Sequence, residues 1–322
     1  MIFLGIDTSN YTTSVYAVDK SNIRGRRKLL EVKPGERGLR QSDGVFQHMK
    51  GFPLLFGELC SEIDVTQIGA VGVSTRPRSI EGSYMPVFLA GSGYAEAIAR
   101  ALNVPKYEYS HQDGHIMAGV RSCERYSLLE DEFISVHISG GTTEILKTRY
   151  NGRGFDCRIT GGTKDISAGQ LIDRIGVAMG LKFPAGAELE RLALNADSRI
   201  SLPIKTDGAW MNLSGVETKA LRMLEDSRTD KSALAMGVLY EIKRALVKTI
   251  TAALKETGLN RVLIAGGVAS NSIIREGLLS MPYDVEFASK EFSSDNAMGI
   301  AELARLEYDK EYGNKNRNSI SD

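Results

Sequence analysis

Two of the chain's four histidines, His111 and His115, stand four positions apart in YEYSHQDGHIMAGV, directly after a strand-like run. Ser110, followed three residues later by Asp113, is a capping-box pattern that starts a helix at His111. Residues i and i+4 share a helical face, so both rings point the same way, the geometry a transition metal takes from one helix. Two ligands do not complete a site, and the partial positive charge of a helix N-terminus opposes a cation. A carboxylate from elsewhere is required. Asp295 in SSDNAMGIAELARLEY, at another helix start, is a candidate. Spacing alone leaves two readings open, a metal site or a pair of solvated surface histidines.

A second chemistry is written in small residues. HISGGTTE sets Ser139, Gly140 and Gly141 between two strands, and LIAGGVASN sets Gly266 and Gly267 between a strand and a helix. Without side-chain bulk, backbone N–H groups of such turns approach an anion closely, and a following helix N-terminus adds a favourable dipole. A φ above zero is expected at Gly140. A glycine pair after a strand is most often just a turn. These two turns and GIDTSNYTTS, all at strand ends, point together to a nucleotide or phosphate site.

The elements that must hold these turns repeat. IFLGIDTS, TTSVYAVD and IRGRRKLLEV read as three strands, with DKSN as a turn between the last two. A helix over roughly 45–63, the strand IGAVGVST, the helix PVFLAGSGYAEAIARAL and the strand PKYEYS follow. EFISVHIS, TTEILKTRY and FDCRITGG begin the pattern again. Helices are expected over 167–181, 187–195 and 232–256, then strand, helix, strand, and a last helix from Asp295 to about Tyr308. Phe3, Ser9, Thr12 and Thr13 are matched by Phe133, Ser139, Thr142 and Thr143, each offset by 130 residues, which points to an internal duplication. Two such lobes facing one another would make a cleft of the kind that ligands favour.

Composition sets the limits. A length of 322 residues favours two domains, and 42% apolar with 25% charged residues reads as soluble and globular. The formal net charge is zero, so there is no global field to hold nucleic acid, and such a partner needs a local patch or another protein. Cys60, Cys123 and Cys157 fit no metal spacing, and so sparse a set suggests a reducing compartment. MIFLGIDTSN has no basic leader, and no run of 18 apolar residues occurs, so neither export nor a membrane span is indicated and a cytoplasmic location is expected. The tail DKEYGNKNRNSISD is polar.

SHQDGH, HISGGTTEIL, DISAGQLIDRIGVAMGL, FPAGAELERLA, MNLSGVETKAL, LIAGGVASNSIIREGL and SSDNAMGIA occur in the order seen in the TsaD/Gcp family, which the chain resembles from Gly5 to about Glu307. The resemblance implies an α/β, duplicated, two-lobed actin-like ATPase fold of the sugar kinase–Hsp70 class with an interlobe cleft. Residues 1–116 would form the N-terminal lobe and 117–293 the C-terminal lobe. Residues 294–322 would be a helix returning to the first lobe and a polar tail. The implied reaction moves a threonylcarbamoyl group from threonylcarbamoyl-adenylate to the N6 amine of the tRNA adenosine beside the anticodon, with TsaB-like and TsaE-like partners and no membrane. The implied ligands of one divalent metal, iron or zinc, are His111, His115 and Asp295. ATP or threonylcarbamoyl-AMP would meet Ser139, Gly140, Gly141, Asp173, Gly186, Glu190, Gly267 and Asn271. Asp7 and Asp173 are the catalytic candidates. The adenylate is already activated, so positioning and electrostatics can carry the transfer without a nucleophile.

The departures are local. The family's first turn, usually E-T-S-C-D-E-T, is DTSNYTT here, so Asn10, Tyr11 and Thr12 replace a cysteine and two acids. Its G-P-G-L loop is RPRS, with Arg76 and Arg78 as candidates for phosphate contact; Thr142 stands for a histidine, and PAG for P-G-G. These changes admit two further readings: a carbamoyl-type transferase with another acceptor, or a non-catalytic nucleotide-binding scaffold. A peptidase is disfavoured, since H-E-x-x-H is absent.

Overall fold

The computed structural model describes residues 1–9, 11–32, 39–293 and 297–313. Its chain divides into two compact units. The first comprises Met1–Tyr126, Tyr150–Asp156 and the chain from Glu291 onward; the second comprises Ser127–Arg149 and Cys157–Lys290.

The first unit opens with β1 (Ile2–Asp7), β2 (Thr12–Val18) and β3 (Ile23–Leu29), followed by α1 (Gln41–Cys60), β4 (Ile68–Arg76), α2 (Phe88–Leu102), β5 (Lys106–Ser110) and α3 (His111–Ser122). Its sheet order is β3-β2-β1-β4-β5. β1 and β2 are antiparallel, and β4 and β5 run parallel to β1. Every residue of β1 and β2 is buried, including the polar Thr12, Thr13 and Ser14 that open β2, as expected of central strands covered on both faces.

The second unit contains β6 (Phe133–Ile138), β7 (Thr143–Tyr150), β8 (Phe155–Thr163), α4 (Ala168–Ala178), α5 (Gly186–Leu194), β9 (Lys205–Asp207), β10 (Trp210–Asn212), α6 (Ser214–Leu224), α7 (Lys231–Thr257), β11 (Arg261–Ala265), α8 (Ser272–Leu279) and β12 (Asp284–Phe287). The sheet order is β12-β11-β6-β7-β8-β10-β9. Within it, β8-β7-β6-β11-β12 repeats the order of the first sheet, again with the opening pair antiparallel and the last two strands parallel to the first. The duplication expected from the 130-residue offset is therefore present in the topology. α7 forms the spine of this unit's core, with Leu234, Val238, Ile242, Leu246 and Ile250 all buried at helical spacing.

The chain then returns to the first unit as α9 (Met298–Tyr312). The expected start of this helix at Asp295, like the polar tail from 314 on, lies outside the described residues. α9 crosses α3 closely: a Cβ on Gly299 would lie 1.9 Å from the Gly114 carbonyl oxygen and 2.6 Å from Ala118 N. Only glycine allows that approach, and it seats α3 on the unit's core. The short β9–β10 pair and α6 have no counterpart in the sequence reading. Of α6, Val216 and Ala220 are buried, one helical turn apart. Among the described residues no helix is long and apolar enough to cross a membrane.

Candidate functional site

In the first unit the C-terminal ends of the parallel strands β1, β4 and β5 bring Asp7, Ser74 and Ser110 to one edge of the sheet, the edge where open α/β sheets hold ligands. α3 starts there with the expected capping box. Ser110 Oγ accepts from Asp113 N at 3.1 Å, and Asp113 Oδ2 accepts from Ser110 N at 2.8 Å. Asp113 is buried and does more than cap: it also accepts from Ser79 Oγ (2.8 Å) and from Phe155 N (2.9 Å), fixing the loop after β4 and a returning segment to the helix start.

His111 and His115 do share a face. Their Nε2 atoms lie 2.9 Å apart. Asp7 Oδ2 lies 2.6 Å from His111 Nδ1, and Asp7 Oδ1 accepts from Ser9 N at 2.7 Å and from Ser74 Oγ at 2.9 Å. An ionised carboxylate only accepts, and in that state Nδ1 of His111 carries the proton and its Nε2 presents a lone pair toward His115. This is the carboxylate–histidine arrangement that holds a metal-ligating imidazole in one tautomer. It fits a cation at the two Nε2 atoms. Asp295, the third expected ligand, lies outside the described residues, and among the described residues no group of three or more His, Cys, Asp or Glu is arranged to hold a metal. Asp7, expected to be catalytic, contacts His111 through Oδ2.

The remaining expected residues are in the second unit. Ser139 to Thr142 form a tight turn closed by Ser139 N to Thr142 O (2.8 Å) and by Thr142 N to Ser139 Oγ (3.2 Å). It is fastened to the start of α4: Ser167 Oγ donates to Gly140 O (2.7 Å), and Ala168 N donates to Thr143 Oγ1 (2.9 Å). Gly140 N and Gly141 N have no acceptor among the described residues, and they sit beside a helix N-terminus. The expected φ above zero at Gly140 is corrected. The residues with positive φ do not include it, because hydrogen bonds from neighbouring side chains, not a left-handed glycine, close this turn. The residue that needs to be glycine there is Gly169, whose Cβ would lie 2.5 Å from both Gly140 Cα and Ser139 O. Sequence reasoning passed over it; the only signal was a small residue in the first turn of a helix.

The other glycine turn is a neighbour of the first. Gly266 takes φ +106°, and a Cβ on it would lie 2.2 Å from the Ile138 carbonyl oxygen, one residue before Ser139. Gly267 follows. Asn271 caps α8, its Oδ1 accepting from Ile274 N at 3.1 Å. Glu190 is tied to the same helix start by Ser272 N (2.7 Å). Asp173 Oδ1 accepts from Ala185 N (2.8 Å), the residue before Gly186, which leaves Oδ2 without a partner among the described residues. Asp165 braces the loop leading into α4. Burial pushes its carboxyl up, but donors from Ser214, Leu213 and Ile166 outweigh this and hold it well below the usual carboxylate range.

Of the altered positions, Asn10 lies outside the described residues. Tyr11 is 42% exposed, whereas Thr12 is buried at the start of β2. Arg76 donates to Thr75 Oγ1 (3.1 Å), and the backbone N of Arg78 to Ser83 Oγ (3.0 Å).

The sequence profile of the family described as TsaD, tRNA N6-adenosine threonylcarbamoyltransferase, matches residues 44–302. A tRNA N6-adenosine threonylcarbamoyltransferase of Thermus thermophilus is 32% identical over 311 residues, covering 94% of this chain and 91% of that protein. A probable bifunctional tRNA threonylcarbamoyladenosine biosynthesis protein of Methanothermobacter thermautotrophicus is 30% identical over 96% of this chain, which spans 56% of it. Among solved structures, HypF of T. kodakarensis superposes with a TM-score of 0.58 at 14% identity, covering 97% of this chain and 48% of that one. A ROK family glucokinase of Streptomyces griseus, solved with glucose and AMPPNP, gives a TM-score of 0.53 at 13% identity, with 95% of this chain and 99% of that one covered. At such identities the likeness is one of fold: the duplicated α/β architecture of actin-like ATPases and kinases.

Proposed function

The chain belongs to the TsaD family of tRNA N6-adenosine threonylcarbamoyltransferases, and from that premise we propose that it transfers a threonylcarbamoyl group from threonylcarbamoyl-adenylate to the N6 amine of the tRNA adenosine beside the anticodon. The observation that carries the reading is the Asp7–His111–His115 chain of contacts, at 2.6 and 2.9 Å, built at the ends of parallel strands. It is a carboxylate–histidine arrangement of the kind that orients a metal ligand. Iron or zinc held by His111, His115 and Asp295 would polarise the carbamoyl oxygen or hold the carboxylate end of the adenylate.

The chain's own residues do the rest. Asp7 keeps the His111 tautomer fixed. Gly140 N and Gly141 N donate to phosphate beside the N-terminus of α4. The open oxygen of Asp173 accepts from a ribose hydroxyl, and Asn271, with Glu190 and Gly186 nearby on α5, borders the adenine end together with Gly267. Nitrogen attack on the carbamoyl carbon expels AMP, whose charge the glycine turn stabilises as it develops, while the N6 proton passes to solvent. TsaB-like and TsaE-like proteins are the partners this reading calls for, and the cytoplasm its location.

The test is a single-turnover assay with preformed threonylcarbamoyl-adenylate, tRNA and those partner proteins, followed by nucleoside analysis. Formation of threonylcarbamoyladenosine is expected. Its absence under conditions where the Thermus relative succeeds would overturn the reading in favour of another acceptor.

A further inference from the structure

The chain is neutral overall, with 40 cations and 40 acids in 322 residues, so any hold on a polyanion has to be local. One element is far from that balance. β3, IRGRRKL, carries four cations and no acid in seven residues. It is an edge strand: β2 flanks it on one side, and no strand pairs with the other among the described residues.

The four cations differ in their partners. Arg26 is committed to packing, since its guanidinium binds Glu58 at 3.1 Å and also Glu62, both near the end of α1. Arg24, Arg27 and Lys28 are exposed. Neither Arg24 nor Lys28 has an ion pair among the described residues, although Arg24 is near Asp19; Arg27 is near Tyr16 and is not without partners. Side chains alternate along a strand, so Arg24 and Lys28 lie about 13 Å apart on one face and Arg27 points to the other. The strand also leads to the chemistry. Lys28 is in register with Thr13, Leu29 with Thr12, and Leu30 N donates to Tyr11 O at 2.7 Å. The basic edge thus ends against the first turn, whose opening residue is Asp7.

We infer that the β3 edge is a docking track for the phosphodiester backbone of the acceptor tRNA, with Arg24, Arg27 and Lys28 as its contacts; this rests on the proposed function. Charges on an edge strand also prevent edge-to-edge pairing. That need is met by one or two charges of either sign and does not explain four of one sign, nor their run toward the first turn. An anionic lipid surface is the less suitable partner: binding flat to one requires a plane of cations above an apolar face, whereas these project to both sides of an extended strand.

The experiment measures tRNA affinity of the full chain between 50 and 200 mM salt for three proteins: wild type, the triple variant R24Q/R27Q/K28Q, and a control, K219Q/K248Q/K255Q. The control removes three exposed cations from α6 and α7, far along the chain, with the same change in net charge. Each phosphate contact contributes roughly 0.7–0.9 to the slope of log affinity against log salt. Wild type and control should therefore lose about 20- to 40-fold more affinity over this range than the edge variant, while nucleotide affinity stays equal in all three. Equal slopes for wild type and edge variant overturn the inference. So does a fall in slope as large in the control as in the edge variant, which would report net charge alone. So does wild type binding phosphatidylserine vesicles in place of tRNA. The single-turnover transfer assay on wild type separates the two readings: transfer with unchanged edge-variant slopes removes the track and leaves the function, whereas no tRNA binding and no transfer removes both.

Discussion

Replacing Asp7 by Asn tests whether the carboxylate acts through His111. The side chain is buried, and its two oxygens accept from Ser9 N, Ser74 Oγ and His111 Nδ1 at 2.7, 2.9 and 2.6 Å. An amide has one accepting oxygen. That oxygen will stay where two donors converge, on Ser9 and Ser74, so the NH2 group is turned to His111 Nδ1. Two donors cannot face each other, and His111 must move its proton to Nε2, the atom 2.9 Å from His115 Nε2. The lone pair is lost at the position where a cation would bind. The fold survives, because each of the three contacts keeps a partner, although all three change from charge-assisted to neutral hydrogen bonds, a cost of about 1–3 kcal/mol. Cation affinity should fall by about 10- to 100-fold, the usual effect of losing such a partner, or about 1.4–2.7 kcal/mol. Nitrogen-15 NMR of the imidazoles reads the tautomer, and calorimetric titration with zinc reads the affinity. An Asp7→Asn protein that keeps the Nδ1–H tautomer at His111 and binds zinc as wild type does would refute the assignment of Asp7 as the orienting group.

Three further outcomes are expected. Gly140→Val should fold normally, since a Cβ there meets nothing within 4 Å, yet lose nucleotide binding by calorimetry; Gly169→Val should instead destabilise by about 1–3 kcal/mol in chemical denaturation, because its Cβ strikes backbone atoms at 2.5 Å. Burial and the adjacent Glu302 push the Tyr126 phenol up to about 12, and since its unfolded value is about 10, the folded state favours the protonated form: the contribution is complete below the unfolded value and disappears as pH rises through the folded one. Melting temperatures of wild type and Tyr126→Phe should accordingly differ at pH 8 and converge toward pH 12, whereas a constant difference would dismiss the titration. In the first turn, Tyr11→Asp places an acid at an exposed position and should raise single-turnover transfer by up to about 10²–10⁴ if positioned acid–base help is what the turn lacks. Thr12→Glu buries a carboxylate at the start of β2 and should show its effect mainly as lost stability.

Local chemistry was legible in the sequence where the cause is local. The capping box at Ser110 and Asp113 sets where α3 begins, so the shared face of His111 and His115 followed from spacing. The 130-residue offset was legible because strand and turn repeat together, and the two sheets carry the same order of five strands. What escaped were contacts made by topology. Asp7, Ser74 and His111 meet because three parallel strands end at one edge; Ser74 and His111 are 67 and 104 residues from Asp7 in sequence, and no spacing rule reaches across that distance. The same holds for Gly169. Its reason for lacking a side chain is the turn at Ser139 and Gly140, which a different stretch of chain supplies. The openness of the glycine turn is legible from its small residues, but its shape is not, because Ser167 Oγ and Ser139 Oγ, rather than a positive φ at Gly140, hold it closed. This explains how a first turn can be rewritten around Asn10, Tyr11 and Thr12 without disturbing the rest. Asp7 contacts Ser74 of β4, His111 of α3 and the backbone N of Ser9, none of which is an altered position. The carboxylate of Asp7 and the variable turn beside it are thus held by different residues, so changes in the turn leave the Asp7–His111–His115 contacts in place.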